Sequence, residues 1–149
     1  MKISFQGELG SYSHQACREA FPEAEPLPCS TFEGAMERVK VHDAKYAIIP
    51  VENSTYGRVA DSYHLLPKSG LFIIREHFLR VNINLLALPG VSIDEVQSAM
   101  SHSVLLGQCR KFLSKHKIKA VSAVDTAGSA KIVAQKKDRT IAALASPLA

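Results

Sequence analysis

The sequence predicts an α/β fold divided between two small lobes, and three observations carry that prediction. Short apolar runs such as Lys2 to Phe5, Ala44 to Ile49 and Ile118 to Val124 alternate with stretches whose apolar residues recur at helical spacing. Polarity changes abruptly where such runs stop, most sharply along Ala47-Ile48-Ile49-Pro50-Val51-Glu52-Asn53-Ser54-Thr55-Tyr56-Gly57-Arg58-Val59. Size is the third: 149 residues, 46% hydrophobic and 21% charged, suffice for one good core or two small lobes.

Lys2 to Phe5 is a short opening strand, and the Gln6-Gly7-Glu8-Leu9-Gly10-Ser11 turn follows it. Its two glycines permit positive φ or a close backbone approach, but they do not supply the three spaced glycines of a dinucleotide fingerprint. Tyr12 to Ala20 reads as a helix stopped by Phe21-Pro22, and Pro26 and Pro28 read as a linker. Ser30 and Glu33 have capping-box spacing before a second helix with Phe32, Ala35, Met36 and Val39 on its apolar stripe. Ala44 to Ile49 is the next strand, covered on both faces, and a helix from about Val59 to Leu66 closes at Lys68-Ser69-Gly70.

Leu71 to Leu79 reads as the last strand of the first lobe, residues 1–79, and Ile83 to Leu88 as the first strand of the second, residues 80–149. Within the second lobe, Val96 to Ser101 is a strand, Ser103 to His116 a helix, Ile118 to Val124 a strand, Thr126 to Gln135 a helix and Ile141 to Leu144 a strand. Ala145 to Ala149 looks like a turn that should feed a further element, which makes a fragment the expectation.

Composition narrows the function classes. No stretch approaches the roughly 20 apolar residues of a membrane span, and the first residues read as strand and turn rather than secretory signal, so a soluble cytoplasmic chain is expected. Cys17, Cys29 and Cys109 lack CxxC spacing, and the six histidines contain no HExxH, so neither a metal site nor a disulfide scaffold is expected. A formal charge of +4 favours a small anionic partner without demanding nucleic acid, and no aromatic residues interleave the basic run from Lys131 to Arg139.

The polar groups collect after strands: Gly7 to Ser13, Glu52 to Arg58, Ser101 to Ser103, and Asp125 to Ser129. In a parallel sheet that is where ligands sit, and helix N-termini there favour anions. Helix capping explains the same residue types, with Asn53, Ser54 or Thr55 serving the helix after the central turn. Two facing lobes with such loops would enclose a cleft suited to a small carboxylate. No nucleophile with its base and no GxSxG elbow accompanies them, so chemistry by orientation and proton donation, or plain binding, stays open.

These residues resemble the prephenate dehydratase family. The resemblance runs through Phe5 to Ser13, Ile49 to Val59, Ser101-His102, Gln108-Cys109, Asp125-Thr126-Ala127 and Ala142 to Ser146, with the Pro-Val-Glu-Asn-Ser turn its specific part. It implies a cofactor-free carbon–oxygen lyase with two α/β lobes like a type II periplasmic binding protein, incomplete before its return to the first lobe. The substrate implied is the dicarboxylate prephenate, or arogenate, which carries an amine in place of the keto group. Neither nucleic acid nor membrane is an implied partner, and pairing into a homodimer is common in the family.

The resemblance makes Glu52, Asn53 and Ser54 the catalytic candidates. Gly7, Ser11, Tyr12, Ser13, Thr55, Gly57, Arg58, Ser101, His102, Asp125, Thr126 and Ala127 are the substrate-binding candidates. Two departures stand out. Val104 replaces a polar amide where the family reads Ser-His-Pro-Gln-Ala-Leu, so a side-chain hydrogen bond is lost there. The family's Thr-Arg-Phe motif, whose threonine is the favoured general acid, does not occur in these 149 residues.

Overall fold

The computed structural model describes residues 1–55 and 57–149; Tyr56, part of the central motif, lies outside the described residues. Contacts divide the chain into Met1–Arg80 and Val81–Ala149, each with its own core.

In the first unit three parallel strands lie in the order β2-β1-β3, with β1 Lys2–Gln6, β2 Glu25–Cys29 and β3 Tyr46–Ile48. The central strand β1 is covered on both faces. Ile3 and Phe5 pack with Cys17 of helix α1, Tyr12–Ala20, while Ser4 between them donates its hydroxyl to the Ala35 carbonyl of helix α2, Phe32–Lys40, at 2.7 Å. Alternation along β1 thus places two apolar side chains on one helix and a satisfied hydroxyl on the other.

The segment holding Pro26 and Pro28 is a strand, not a linker. Glu25 N donates to Met1 O at 2.9 Å, so the two prolines, each one residue out of phase with it, direct their missing N–H groups away from β1. Proline is compatible with an edge strand for this reason. The α2 cap is Thr31 rather than Ser30: its Oγ1 accepts from Gly34 N at 2.9 Å. Strand β3 is shorter than expected and only half-buried, being the other edge of this sheet.

The central turn is a β-hairpin. Strand β4, Glu52–Asn53, pairs antiparallel with β5, Gly57–Arg58, before helix α3, Ala60–Leu65, and a 3-10 turn at Leu66–Lys68. Residues 71–79 form no strand, contrary to the apolar pattern, because no ladder partner for them exists among the described residues.

The second unit carries a four-stranded sheet in the order β6-β9-β7-β8: β6 Asn84–Leu86, β7 Ser98–Ser101, β8 Lys119–Ser122 and β9 Ile141–Ala145. Strand β6 is antiparallel to β9 and the other pairs are parallel. One face packs Ala99, Ala142 and Leu144 with Val96, Leu106, Leu113 and Ile118. The expected single helix from Ser103 to His116 is two, α4 Ser103–Gln108 and α5 Arg110–Lys115, because Cys109 leaves helical geometry at φ −92°, ψ 6°. Helix α6, Thr126–Lys136, follows β8. Among the described residues no helix is long and apolar enough to cross a membrane.

Candidate functional site

In both units the motif residues follow the carboxyl ends of parallel strands, but the local structures differ. After β1, Gly7 and Gly10 adopt φ of +116° and +92°, which lets the chain turn back within a few residues. Ser11 caps α1 by accepting from His14 N at 3.3 Å, and a Cβ on Gly7 would come within 3.2 Å of its Oγ. Tyr12 and Ser13 open the helix, half-buried.

His14 closes this turn. Its Nδ1 accepts from Gly10 N at 2.9 Å, and its ring stacks on Phe5 with centroids 5.6 Å apart. Burial, and then the nearby Arg18 charge, push its pKa below the ordinary value, consistent with a neutral ring whose Nδ1 is an acceptor.

After β3, the hairpin places Glu52 opposite Arg58 and Asn53 opposite Gly57. Asn53 Oδ1 accepts from Thr55 N at 2.8 Å, an Asx turn that shapes the tip. Gly57 has φ +76°, and open space surrounds the place of a Cβ. The hairpin base is anchored by Val59 N donating to Val51 O at 3.0 Å and by the buried Ser62 hydroxyl donating to Pro50 O at 2.6 Å. Helix α3 begins at Val59 with no side-chain cap, so Asn53, Ser54 and Thr55 do not serve as its cap.

Glu52, Ser54, Thr55 and Arg58 are exposed, and among the described residues the first three make no side-chain hydrogen bond. The Arg58 guanidinium lies 5.2 Å over the Tyr63 ring. The strand-to-helix reading missed the hairpin; its one sequence signal is Asn53 followed by hydroxyl residues and a glycine.

In the second unit the corresponding side chains serve the scaffold. Ser101, at the end of β7, is 0% exposed and donates its hydroxyl to Leu144 O at 2.6 Å. His102 caps α4 through Nδ1, which accepts from Val104 N at 3.3 Å. Asp125 caps α6, accepting from Gly128 N at 2.6 Å, while the buried Ser129 hydroxyl donates to the Asp125 carbonyl at 2.6 Å. A Cβ on Gly128 would lie 2.6 Å from Asp125 Oδ2, so the cap and the glycine fit together. Thr126 and Ala127 form the first turn of α6, half-buried and buried. Since Asp125 takes the third N–H of the helix, those of Thr126 and Ala127 have no intrahelical acceptor.

The chain is similar to known proteins along nearly its whole length. The model of the family described as prephenate dehydratase matches residues 3–149. A protein of Komagataeibacter europaeus called bifunctional N-acyl-homoserine lactone acylase/prephenate dehydratase is 40% identical over 147 residues, covering 99% of this chain and 52% of that protein. Arogenate dehydratase/prephenate dehydratase 1, chloroplastic, of Arabidopsis thaliana is 38% identical over 146 residues, covering 98% of this chain and 37% of that one. The crystal structure of prephenate dehydratase in complex with L-Phe from Arthrobacter aurescens superimposes with a TM-score of 0.90 at 28% identity, covering 99% of this chain and 50% of that one. The expected class, α/β like type II periplasmic binding proteins, stands on that likeness. The chain spans about half, or less, of the length of these relatives.

Proposed function

We propose that this chain, which belongs to the prephenate dehydratase family, is an incomplete catalytic region of a cytoplasmic lyase that converts prephenate to phenylpyruvate. The reaction loses the ring carboxylate as carbon dioxide and the ring hydroxyl, once protonated, as water. The ring becomes aromatic, so the protein has to orient two carboxylates and deliver one proton.

The exposed hairpin at the end of β3 is the observation that carries this reading. The bonds from Val51, Pro50 and Asn53 fix its base and tip, while Glu52, Ser54 and Thr55 present unengaged polar groups. Preorganisation without self-satisfaction is what a substrate-receiving loop requires. In the proposed roles Glu52, Asn53 and Ser54 orient the reacting ring, and Arg58, Gly57 and Thr55 hold the carboxylate end beside the Gly7-to-Ser13 turn. Arg58 supplies a planar cation for a carboxylate. Within the second unit, taken by itself, the groups that suit an anion are main-chain: the N–H groups of Thr126 and Ala127 at the start of α6, with Asp125 keeping that helix start in shape and Ser101 and His102 serving the start of α4.

Arogenate is the second reading, favoured by the Arabidopsis thaliana relative, whose name joins arogenate dehydratase to prephenate dehydratase. A chimera joining this chain to the unmatched part of the Komagataeibacter europaeus relative tests both. With prephenate it should form phenylpyruvate, followed by absorbance in alkali, without added cofactor; the 149 residues alone should be at least about 100-fold slower, the chimera alone having the proton donor. Phenylalanine from arogenate with no phenylpyruvate from prephenate would move the assignment to arogenate. Calorimetric binding of small carboxylates without product from either compound would make the chain a binding module and overturn the lyase reading.

A further inference from the structure

Arg58, the cation proposed for the carboxylate end of the substrate, stands directly opposite a carboxylate of its own chain, Glu52, in the β4–β5 ladder. Opposed residues of an antiparallel pair carry their side chains on one face, with Cβ atoms about 5 Å apart, so an ion pair to Glu52 lies within easy reach of an arginine. Among the described residues that ion pair is not made. The guanidinium carbon lies instead 5.2 Å from the centre of the Tyr63 ring.

The two arrangements leave different chemistry behind. An aromatic face attracts the charge of a guanidinium and supplies no oxygen acceptor to its N–H donors. An arginine held over a ring therefore keeps its planar fork available for a bidentate carboxylate, whereas one paired with Glu52 has that fork occupied. Tyr63 is built to hold the first arrangement. Its ring is 45% exposed, a plate on the surface and not a core group. Its helix is tied to the hairpin by the hydroxyl of Ser62, the residue immediately before it, which donates to Pro50 O at 2.6 Å, and by Val59 N, which donates to Val51 O at 3.0 Å. Ring and guanidinium thus stand on one frame, fixed at the base of the hairpin.

We infer that Tyr63 is a positioning residue for the substrate's carboxylate: its ring draws Arg58 away from Glu52 and keeps both groups available to the substrate. This role rests on the proposed function, which gives Arg58 a carboxylate to hold. Tyr63 needs no contact with substrate for it. Without the ring Arg58 turns onto Glu52, so the damage passes through the Glu52 charge.

The test is KM and kcat for prephenate in the chimera carrying Tyr63→Leu or Tyr63→Phe, each alone and together with Glu52→Gln. Tyr63→Leu should raise KM by about 5-fold and leave kcat within about 2-fold, because a carboxylate held away from the reacting bond contributes binding common to the ground and transition states. Tyr63→Phe keeps the aromatic face and should stay within about 2-fold of the parent in both constants. With Glu52→Gln already present, Tyr63→Leu should change KM by less than about 2-fold, since the charge that captures Arg58 is gone. A purely structural role would lower the unfolding midpoint and carry the same KM effect into both backgrounds. The parent KM in Tyr63→Leu, an equal rise in Tyr63→Phe, or an equal rise in both backgrounds overturns the inference, while product formation leaves the proposed reaction standing. If the chimera forms no product, that reaction fails on its own account, and the dissociation constant of prephenate by calorimetry replaces KM with the same expected and contrary results. Absence of prephenate binding there overturns the inference as well.

Discussion

The hairpin at Glu52–Arg58 and the capped turn at Asp125–Ser129 begin from similar residues and end in different states. Each follows a strand, and each holds a carboxylate, hydroxyls and a glycine. At Asp125 the groups close on one another: the carboxylate takes Gly128 N, and Ser129 takes the Asp125 carbonyl. At Glu52 the main chain and Asn53 shape the loop, leaving the side chains of Glu52, Ser54 and Thr55 exposed and, among the described residues, without a hydrogen bond. Polar residues after a strand therefore do not by themselves mark a site. What distinguishes one is whether their hydrogen-bonding capacity is left over after the loop is built.

That contrast predicts a ranking of stability effects. The largest belongs to Ser101→Val, which removes the donor to the buried Leu144 carbonyl and inserts bulk at a fully covered position. It should destabilise the protein by about 1–3 kcal/mol, read as a lower urea midpoint. An unchanged midpoint would show that the second unit's hydroxyls are not scaffold. Asp125→Ala comes next, at about 1 kcal/mol for the lost α6 cap, and Asp125→Asn should restore most of it.

His14 offers a gentler test, a slope with pH instead of a step. Its folded pKa lies below the unfolded value of 6.5, because burial and then Arg18 disfavour its charged form. Between those two values the unfolded chain binds more protons, so the stabilisation is fully present above the unfolded pKa and is lost as pH falls through the folded one. Protonation at Nδ1 would also remove the acceptor for Gly10 N. Comparing urea midpoints at about pH 5 and about pH 7.5, His14→Gln should reduce the difference seen in the parent chain. Smallest of all, Ser54→Ala and Thr55→Ala should change stability by less than about 0.5 kcal/mol.

Much of the fold was legible because the apolar period is strong where helix and strand pack on a core. Helix α1 matches its expected span, and β1, β7, β8 and β9 fall where their apolar runs placed them. The exceptions share a cause: they depend on which neighbour a segment finds. Glu25–Cys29 is a strand because an edge tolerates prolines facing outward, and 71–79 is not one because no partner adjoins it among the described residues. The position of the central turn was legible in its motif, but its hairpin form depends on pairing between Glu52–Asn53 and Gly57–Arg58 that periodicity does not encode. In the second unit, residue type revealed hydroxyls after strands, whereas only three-dimensional placement shows Ser101 bonded to a residue 43 positions away.

The hairpin's unengaged side chains are proposed to act on substrate. The most direct test is kcat/KM for phenylpyruvate formation by the chimera, measured beside its unfolding midpoint for Glu52→Gln and Ser54→Ala. At least one variant should lose about 10-fold or more in kcat/KM, with the stability of both within about 0.5 kcal/mol of the parent. Turnover at the parent rate in both variants, with the same midpoints, would contradict it.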